Sequence, residues 1–266
     1  MLFPALKDPL LKTMLEAARL AGRELNRRRT SAVKTKMSMR DFVINMDYAS
    51  DEVLRKILEE RFPRIPYASE ESGEPKPGTS GWCVDALDGT VNCFHGDVFW
   101  GVSIALLRDG IPEAGVVCLP ALKMLFCASH SEPAWQVSWN LENRRRIHVG
   151  TYADLKSSSV WTDHNKLDPP LTRKVFGVLD KISLLPQIRV CCTASMMWLA
   201  TGRIAGYIHP GPTPSDTAAS ILIVRKAGGI VTDKHRMPAT PFSQPVIAAT
   251  PMTYGELETK LRHLFF

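Results

Sequence analysis

The segment SEESGEPKPGTSGWCVDALDGTVN, Ser69 to Asn92, carries Glu70 and Glu71 at one end of a Pro/Gly-rich loop and Asp85 and Asp88 at the other. A short apolar run, Trp82-Cys83-Val84, leads into the second pair. Four carboxylates brought to one point repel, and burying them is costly without a countercharge. The chemistry open to such a set is the holding of cations; the plain alternative is a polar turn and a solvated loop. Two acidic motifs are excluded by counting. Started at Asp85, an EF-hand loop places Leu87 and Gly96 where oxygen ligands belong. Aspartyl-phosphate phosphatases space their acids two residues apart, whereas Asp85 and Asp88 are three apart.

A third acid site lies far along the chain. In GPTPSDTAASILIVRKAGG, Asp216 stands at the mouth of an apolar helix, where it would also serve as an ordinary N-cap. Strand ends and helix starts are where the functional residues of layered α/β folds collect. The elements that must position these acids are readable from pattern. Asp8-Pro9 opens an amphipathic helix with Leu10, Leu11, Met14, Leu15 and Ala18 on one face, running to about Arg27. A second helix spans about Asp47 to Phe62, with a short extended piece around Phe42 to Ile44 before it. GWCVD reads as a strand ending in an acid, and FWGVSIALL, EAGVVCL and KMLFCAS continue it as a meander. After RRRIHVG the pattern becomes mixed. Strands fall at SSVWTD, IRVCC, AGYIH, GIVTD and PVIAAT; helices fall at about Pro170 to Ile182, Thr193 to Thr201, Asp216 to Lys226 and onward from Met252. The reading is a layered α/β chain in two parts, residues 1–148 with the helix pair, the antiparallel sheet and most of the acids, and residues 149–266 with the mixed part and Asp216.

Composition narrows the partners. The chain has 266 residues, 45% of them hydrophobic and 23% charged, which suits a packed core. A net charge of +6 suits an anionic substrate and on its own speaks only to solubility and non-specific association. Arg27 to Arg29 and Arg144 to Arg146 invite a nucleic-acid reading, but no aromatic residues interleave with them, so they read as a solvated helix end and loop. No stretch reaches the roughly 20 apolar residues of a membrane span, and the first residues lack a secretory pattern. The six cysteines form no CxxC pair and read as reduced, mostly buried thiols of a cytoplasmic protein.

Taken together, these pieces resemble the inositol monophosphatase family, within the group that includes fructose-1,6-bisphosphatases and 3′-phosphonucleotide phosphatases. The resemblance rests on Lys36 and DFVINMD ending at Asp47, EES at Glu70 to Ser72, WCVDALDGTVNCFHG, VSIAL, CTAS at Cys192 to Ser195, ATGRIAGY, and SDTAASILIVRKAGGIVTD. It implies an αβαβα sandwich, a homodimer, sensitivity to Li⁺, and a Mg²⁺-dependent phosphomonoesterase acting on a small phosphorylated alcohol, inositol monophosphate above all. By analogy the metal ligands are Glu70, Asp85, the carbonyl of Leu87, Asp88 and Asp216. Glu70, Thr90 and Asp47 are the catalytic set that positions a metal-activated water. Substrate contacts fall to Asp88, Gly89, Thr90, Thr193, Ala194, His209 and Asp216. The chain departs from the family pattern where Pro214-Ser215 replace a Trp before Asp216, Cys192 replaces Gly, His209 replaces an acid, Ala205 replaces an Asp-like residue, and Val91 and Cys93 replace a Thr and an aromatic. These changes fall on the side that recognises the alcohol. A nucleotide 3′-phosphate, a sugar phosphate or histidinol phosphate is therefore the alternative substrate, and a catalytically weak regulatory or binding protein the alternative role.

Overall fold

The acids at Glu70, Asp85 and Asp88 can meet Asp216 only if distant parts of the chain share a layer, and two sheets clasping a pair of helices supply it. The computed structural model describes residues 3–4, 6–35, 39–164 and 168–266, so Lys36 lies outside the described residues. The elements run β1 (Phe3–Pro4), α1 (Pro9–Thr35), α2 (Met39–Arg61), β2 (Tyr67–Ser69), β3 (Gly81–Asp88), α3 (Thr90–His95), β4 (Gly101–Arg108), β5 (Ile111–Leu119), β6 (Met124–Ser129), β7 (Trp135–Val137) and β8 (Asn143–Arg146). They continue as β9 (Ser159–Thr162), α4 (Pro169–Ile182), β10 (Leu185–Ile188), α5 (Cys192–Ala200), β11 (Gly206–His209), α6 (Pro214–Lys226), β12 (Ile230–Thr232), β13 (Val246–Ala249) and α7 (Pro251–Leu261).

Eight described strands form one sheet in the order β1-β8-β7-β6-β5-β4-β3-β2, antiparallel except for the β2–β3 pair. Five form the second, β10-β9-β11-β13-β12, with β10, β9 and β11 parallel. Alternation along the strands loads both faces of the larger sheet. Val116 and Cys118 of β5 join the α1 and α2 side, with Leu11, Met14, Leu54 and Leu58, while Val117 and Leu119 join the middle layer. That middle layer is α5 and α6, buried along nearly their whole lengths between the sheets, as helices apolar all round must be. The outer face of the small sheet packs against α4 and α7 through Val160, Ile208, Ile247, Val175 and Leu257. The order is α/β/α/β/α, a mixed layered fold as the sequence implies.

Several local expectations differ from the outcome. The piece around Phe42 to Ile44 is helical, because α2 begins at Met39 and helix continuity overrides the local β-propensity of a short apolar run. Helix α1 runs on to Thr35, so Arg27 to Arg29 lie inside it, and Glu24 pairs with Arg27 and Arg28. Arg144 to Arg146 are strand β8 rather than loop; Arg144 lies 4.3 Å from the Trp135 ring centre and Arg145 donates to Gln136. The strand expected at IRVCC lies earlier, at Leu185–Ile188 paired with β9, and Cys192 already belongs to α5. Helix α6 starts at Pro214 with Thr213 as N-cap, which puts Asp216 at its third position. All six cysteines are free and buried.

The middle layer rests directly on the sheet at Gly115, where a Cβ would sit 2.9 Å from Ala219 Cα of α6. Gly115→Val therefore forces α6 outward, at a cost of about 1–3 kcal/mol for overpacking. Urea unfolding should show a lower midpoint; an unchanged midpoint would mean that the helix does not bear on the sheet there.

Candidate metal centre

Asp85 and Asp88 are three apart in β3, and in a regular strand they would face opposite ways. The pairing with β4 slips between them: Asp85 stands opposite Ser103, Asp88 opposite Gly101, so three steps on β3 match two on β4. This one-residue bulge turns both carboxylates to the same side, where α6 presents Asp216. Ligand oxygens of Asp85, Asp88 and Asp216 all lie within 4.8 Å of one another. Glu70 arrives from the neighbouring strand. Ser69 pairs with Val84, and the Glu70 amide donates to Val84 O at 3.2 Å, which sets Glu70 beside Asp85 at the mouth of the same cleft.

Each acid is fixed from behind. Asp85 Oδ1 accepts from the Leu87 amide at 2.9 Å, and its Oδ2 is buried with no hydrogen-bond partner among the described residues. Asp88 Oδ2 accepts from Thr193 N at 2.6 Å, Thr193 Oγ1 at 2.7 Å and the Cys191 thiol at 3.2 Å, so the first turn of α5 grips it. Asp216 Oδ2 accepts the Thr213 amide at 2.7 Å and closes the start of α6. Gly89 carries the chain out of β3 with φ +81°, and a Cβ there would lie 2.9 Å from Phe99 O, so a glycine is required.

The charges act on one another. Burial, then the charges of Asp88, Glu70 and Asp216, push the Asp85 carboxyl well above the usual carboxylate range. Burial and Asp216 push Asp88 up to about 6 against the pull of Thr193 and Cys191. Asp47, buried in α2, is pushed up to about 8 by burial and by Glu71 and Glu70, with a Thr90 hydroxyl contact opposing. No lysine or arginine is among the described residues that line the cleft. The donors are oxygens, one is a buried orphan, and the nearby thiols are driven up by burial, so the set fits a hard divalent cation such as Mg²⁺ rather than a soft one.

Of the expected site residues, Glu70, Asp85, Leu87, Asp88, Gly89, Thr90, His209 and Asp216 line a single cleft of about 320 Å³. Thr90 Oγ1 donates to Leu87 O at 3.0 Å. Asp47 and Thr193 stand behind the wall, touching Thr90 and Asp88 respectively. Ala194 is fully buried in α5 and is not part of the cleft lining. His209 Nδ1 accepts the Gly211 amide at 3.3 Å, so Nε2 carries the proton, 4.0 Å from Asp216 Oδ2. Sequence reasoning passed over Asp163 and His164, which line the same cleft. Asp163 accepts from Tyr207 OH at 2.8 Å and from the His164 amide at 2.7 Å, and burial followed by the Asp88 charge pushes it up. The one available signal was its place at the end of a strand in VWTD, the same signal that marked Asp85.

Comparison with known proteins gives a consistent result. The family model described as the inositol monophosphatase family matches residues 6–264. The putative Nus factor SuhB of Neisseria meningitidis is 32% identical over 258 residues, 94% of this chain and 97% of that protein. The inositol-1-monophosphatase of Rhizobium meliloti is 30% identical, covering 85% of this chain and 86% of its own length. The crystal structure of the extragenic suppressor protein SuhB from Bartonella henselae superimposes with a TM-score of 0.83 at 26% identity, covering 96% of this chain and 99% of that one.

A cation-free centre of this kind is sensitive to pH. Carboxyls raised in the folded chain keep protons that the unfolded chain has released, so their stabilisation is full below about pH 4 and is lost as pH rises through about 6 for Asp88 and about 8 for Asp47. Thermal melts in chelator should show a melting temperature that falls across this window. Mg²⁺ at a hundred times its dissociation constant should add about 2.7 kcal/mol. A melting temperature that rises across the window in chelator and ignores Mg²⁺ would contradict this electrostatic picture.

Proposed function

The chain belongs to the inositol monophosphatase family, and on that premise we propose that it is a Mg²⁺-dependent phosphomonoesterase of a small alcohol phosphate, inositol monophosphate first. The observation that carries the reading is the buried orphan oxygen of Asp85 within a trio of converging carboxylates. Glu70, Asp85, Asp88, Asp216 and the Leu87 carbonyl are the residues that would hold the cations. When bound, divalent cations supply Lewis-acid chemistry, offsetting phosphate charge and acidifying water for attack at phosphorus.

The chain's own groups then have distinct tasks. Glu70, the most exposed of the acids, orients the attacking water and takes its proton at a carboxylate oxygen. Thr90, in contact with both Leu87 O and the Asp47 carboxyl, holds that water from the other side. The backbone N–H groups of Gly89 and Thr90 receive phosphate oxygens. Thr193 keeps Asp88 in place from the first turn of α5, in which Ala194 is buried. On the alcohol side, the Nε2–H of His209 faces the region where an acid would grip substrate hydroxyls in other members, which keeps a nucleotide 3′-phosphate, a sugar phosphate and histidinol phosphate among the candidates. The buried free thiols support a reducing, cytoplasmic setting, and the family supports a Li⁺-sensitive homodimer.

A second reading has its own observation. Relatives of near-equal length carry the name Nus factor, which favours a binding role in which hydrolysis is weak. No helix among the described residues is long and apolar enough to cross a membrane. Retention of all four acidic side chains favours hydrolysis over that reading.

Phosphate release from a panel of inositol, sugar, nucleotide 3′- and histidinol phosphates, with and without Mg²⁺, tests the proposal. Mg²⁺-dependent release is expected, and Asp88→Ala should lower kcat/KM at least about a thousandfold, since several kcal/mol of charge stabilisation are lost. Release from no substrate, or an active Asp88→Ala, would overturn it and leave the binding role.

A further inference from the structure

Between Glu70 and β3 the chain passes through a loop that is pinned at three points. At its start, Ser69 and Ser72 bond to each other, and the Gly73 amide donates to Ser69 O at 2.8 Å with Gly73 at φ +116°. At its end, Ser80 bonds the Asp109 amide at 2.9 Å, and the Gly110 amide donates to Thr79 O, so the loop is tied to the β4–β5 hairpin. In the middle stands Glu74, and its carboxylate crosses to α6. Glu74 Oε2 accepts the Ser215 amide at 3.1 Å, and Oε1 accepts the Ser215 hydroxyl. These contacts join residues 141 apart in sequence.

Ser215 is the residue before Asp216, and it is fully buried. It stands where the family pattern has a Trp. Its carbonyl accepts a further bond from Ser103 of β4 at 3.3 Å. The start of α6 is thus capped twice by carboxylates. Asp216 takes the Thr213 amide from within the helix, and Glu74 takes the Ser215 amide from outside it. Free amides at a helix start attract negative charge, so both bonds are favourable. Their geometric consequence is larger. Glu70 and Asp216 are outer members of the acid cluster and come from segments with no covalent proximity. Glu74, four residues after Glu70, fastens the loop of the first to the helix of the second.

We propose that Glu74 is a positioning residue that sets the separation of Glu70 and Asp216 through Ser215, and so fixes the affinity of the centre for its divalent cation. The proposal rests on the metal-dependent reading above. It accounts for the lost Trp: a bulky side chain at position 215 would collide with the Glu74 carboxylate and the Thr213 hydroxyl that meet the Ser215 hydroxyl, and the serine makes room for a polar clasp. Glu74 touches neither substrate nor reacting atoms in this role. Its effect passes through the two ligands it braces, as the outer contacts of metal ligands commonly do.

The test uses the intact chain and Mg²⁺ itself. Mg²⁺ is titrated by its effect on melting temperature without substrate, and in parallel by the Mg²⁺ dependence of phosphate release. Glu74→Gln keeps the shape but removes the negative charge and leaves a single accepting oxygen where two now meet the Ser215 amide and hydroxyl. It should raise the half-saturating Mg²⁺ concentration about tenfold or more in both measurements, with kcat at saturating Mg²⁺ within about twofold of the parent. Ser215→Ala removes the hydroxyl contact alone and should give a smaller rise. Combined with Glu74→Gln it should add little, because both act on one contact. Ser80→Ala loosens the same loop at its other anchor and should leave Mg²⁺ half-saturation unchanged. A Glu74→Gln protein that melts lower in chelator but titrates with Mg²⁺ like the parent would overturn the proposal, as would fully additive losses in the double variant. A parent protein that shows no Mg²⁺-dependent shift would sink the metal reading and the clasp with it; a parent that responds beside an equally responsive Glu74→Gln would sink the clasp alone.

Discussion

A carboxylate oxygen buried without a donor is among the most costly groups a protein can carry, and Asp85 Oδ2 is one. Its neighbours make the position worse, since Asp88, Asp216 and Glu70 add negative charge within the same small volume. The fold does not solve this internally: among the described residues, no lysine or arginine lines the cleft, and the amides and hydroxyls nearby satisfy Asp88 and Asp216 from behind. The features around the cleft are consistent with a cluster built for an external cation. The bulge in β3 aims two acids at one point, the left-handed Gly89 clears the exit, and α5 and α6 are both wedged between sheets so that their first turns cannot drift.

The double use of helix starts deserves comparison. In α5 the first turn holds Asp88 from outside the helix, through the Thr193 amide and hydroxyl. In α6 the acid is part of the helix itself, three residues after its N-cap. Both arrangements give unsatisfied amides to carboxylates of the cluster, so the same bonds that cap the helix starts also orient the acids. Stability and function are therefore coupled at these points. A variant that weakens a cap also misaims an acid of the cluster.

Much of this was legible in the sequence, and the parts that were not have physical reasons. The meander from Trp82 to Ser129 followed from alternation and turn residues, and Asp85, Asp88 and Asp216 stood out as acids at the ends of apolar runs. The bulge that lets a spacing of three work was invisible, because register is a property of the pair of strands and not of either one. Asp163 carried only the weak signal of a strand end, and its bond from Tyr207 comes from a residue 44 positions away. The clasp between Glu74 and Ser215 had no local mark at all. Phe42 to Ile44 misled because a short β-branched run reads alike in a helix and in a strand, and Arg144 to Arg146 because three like charges in a row, in strand β8 between β1 and β7, lack the alternation that announces a strand.

His209 stands beside Asp216 and Cys192 lies in the wall, on the side proposed to meet the alcohol. Asp85, Asp88 and Asp216 converge closely enough to share a cation, and the proposed function depends on their doing so. Diffraction from crystals soaked in Mn²⁺, recorded at the manganese absorption edge, addresses it most directly. The account predicts anomalous density among Asp85, Asp88 and Asp216, with Asp85 Oδ2 in the coordination sphere. Crystals without such density, in which these carboxylates stay close and are paired with one another by shared protons, would contradict it.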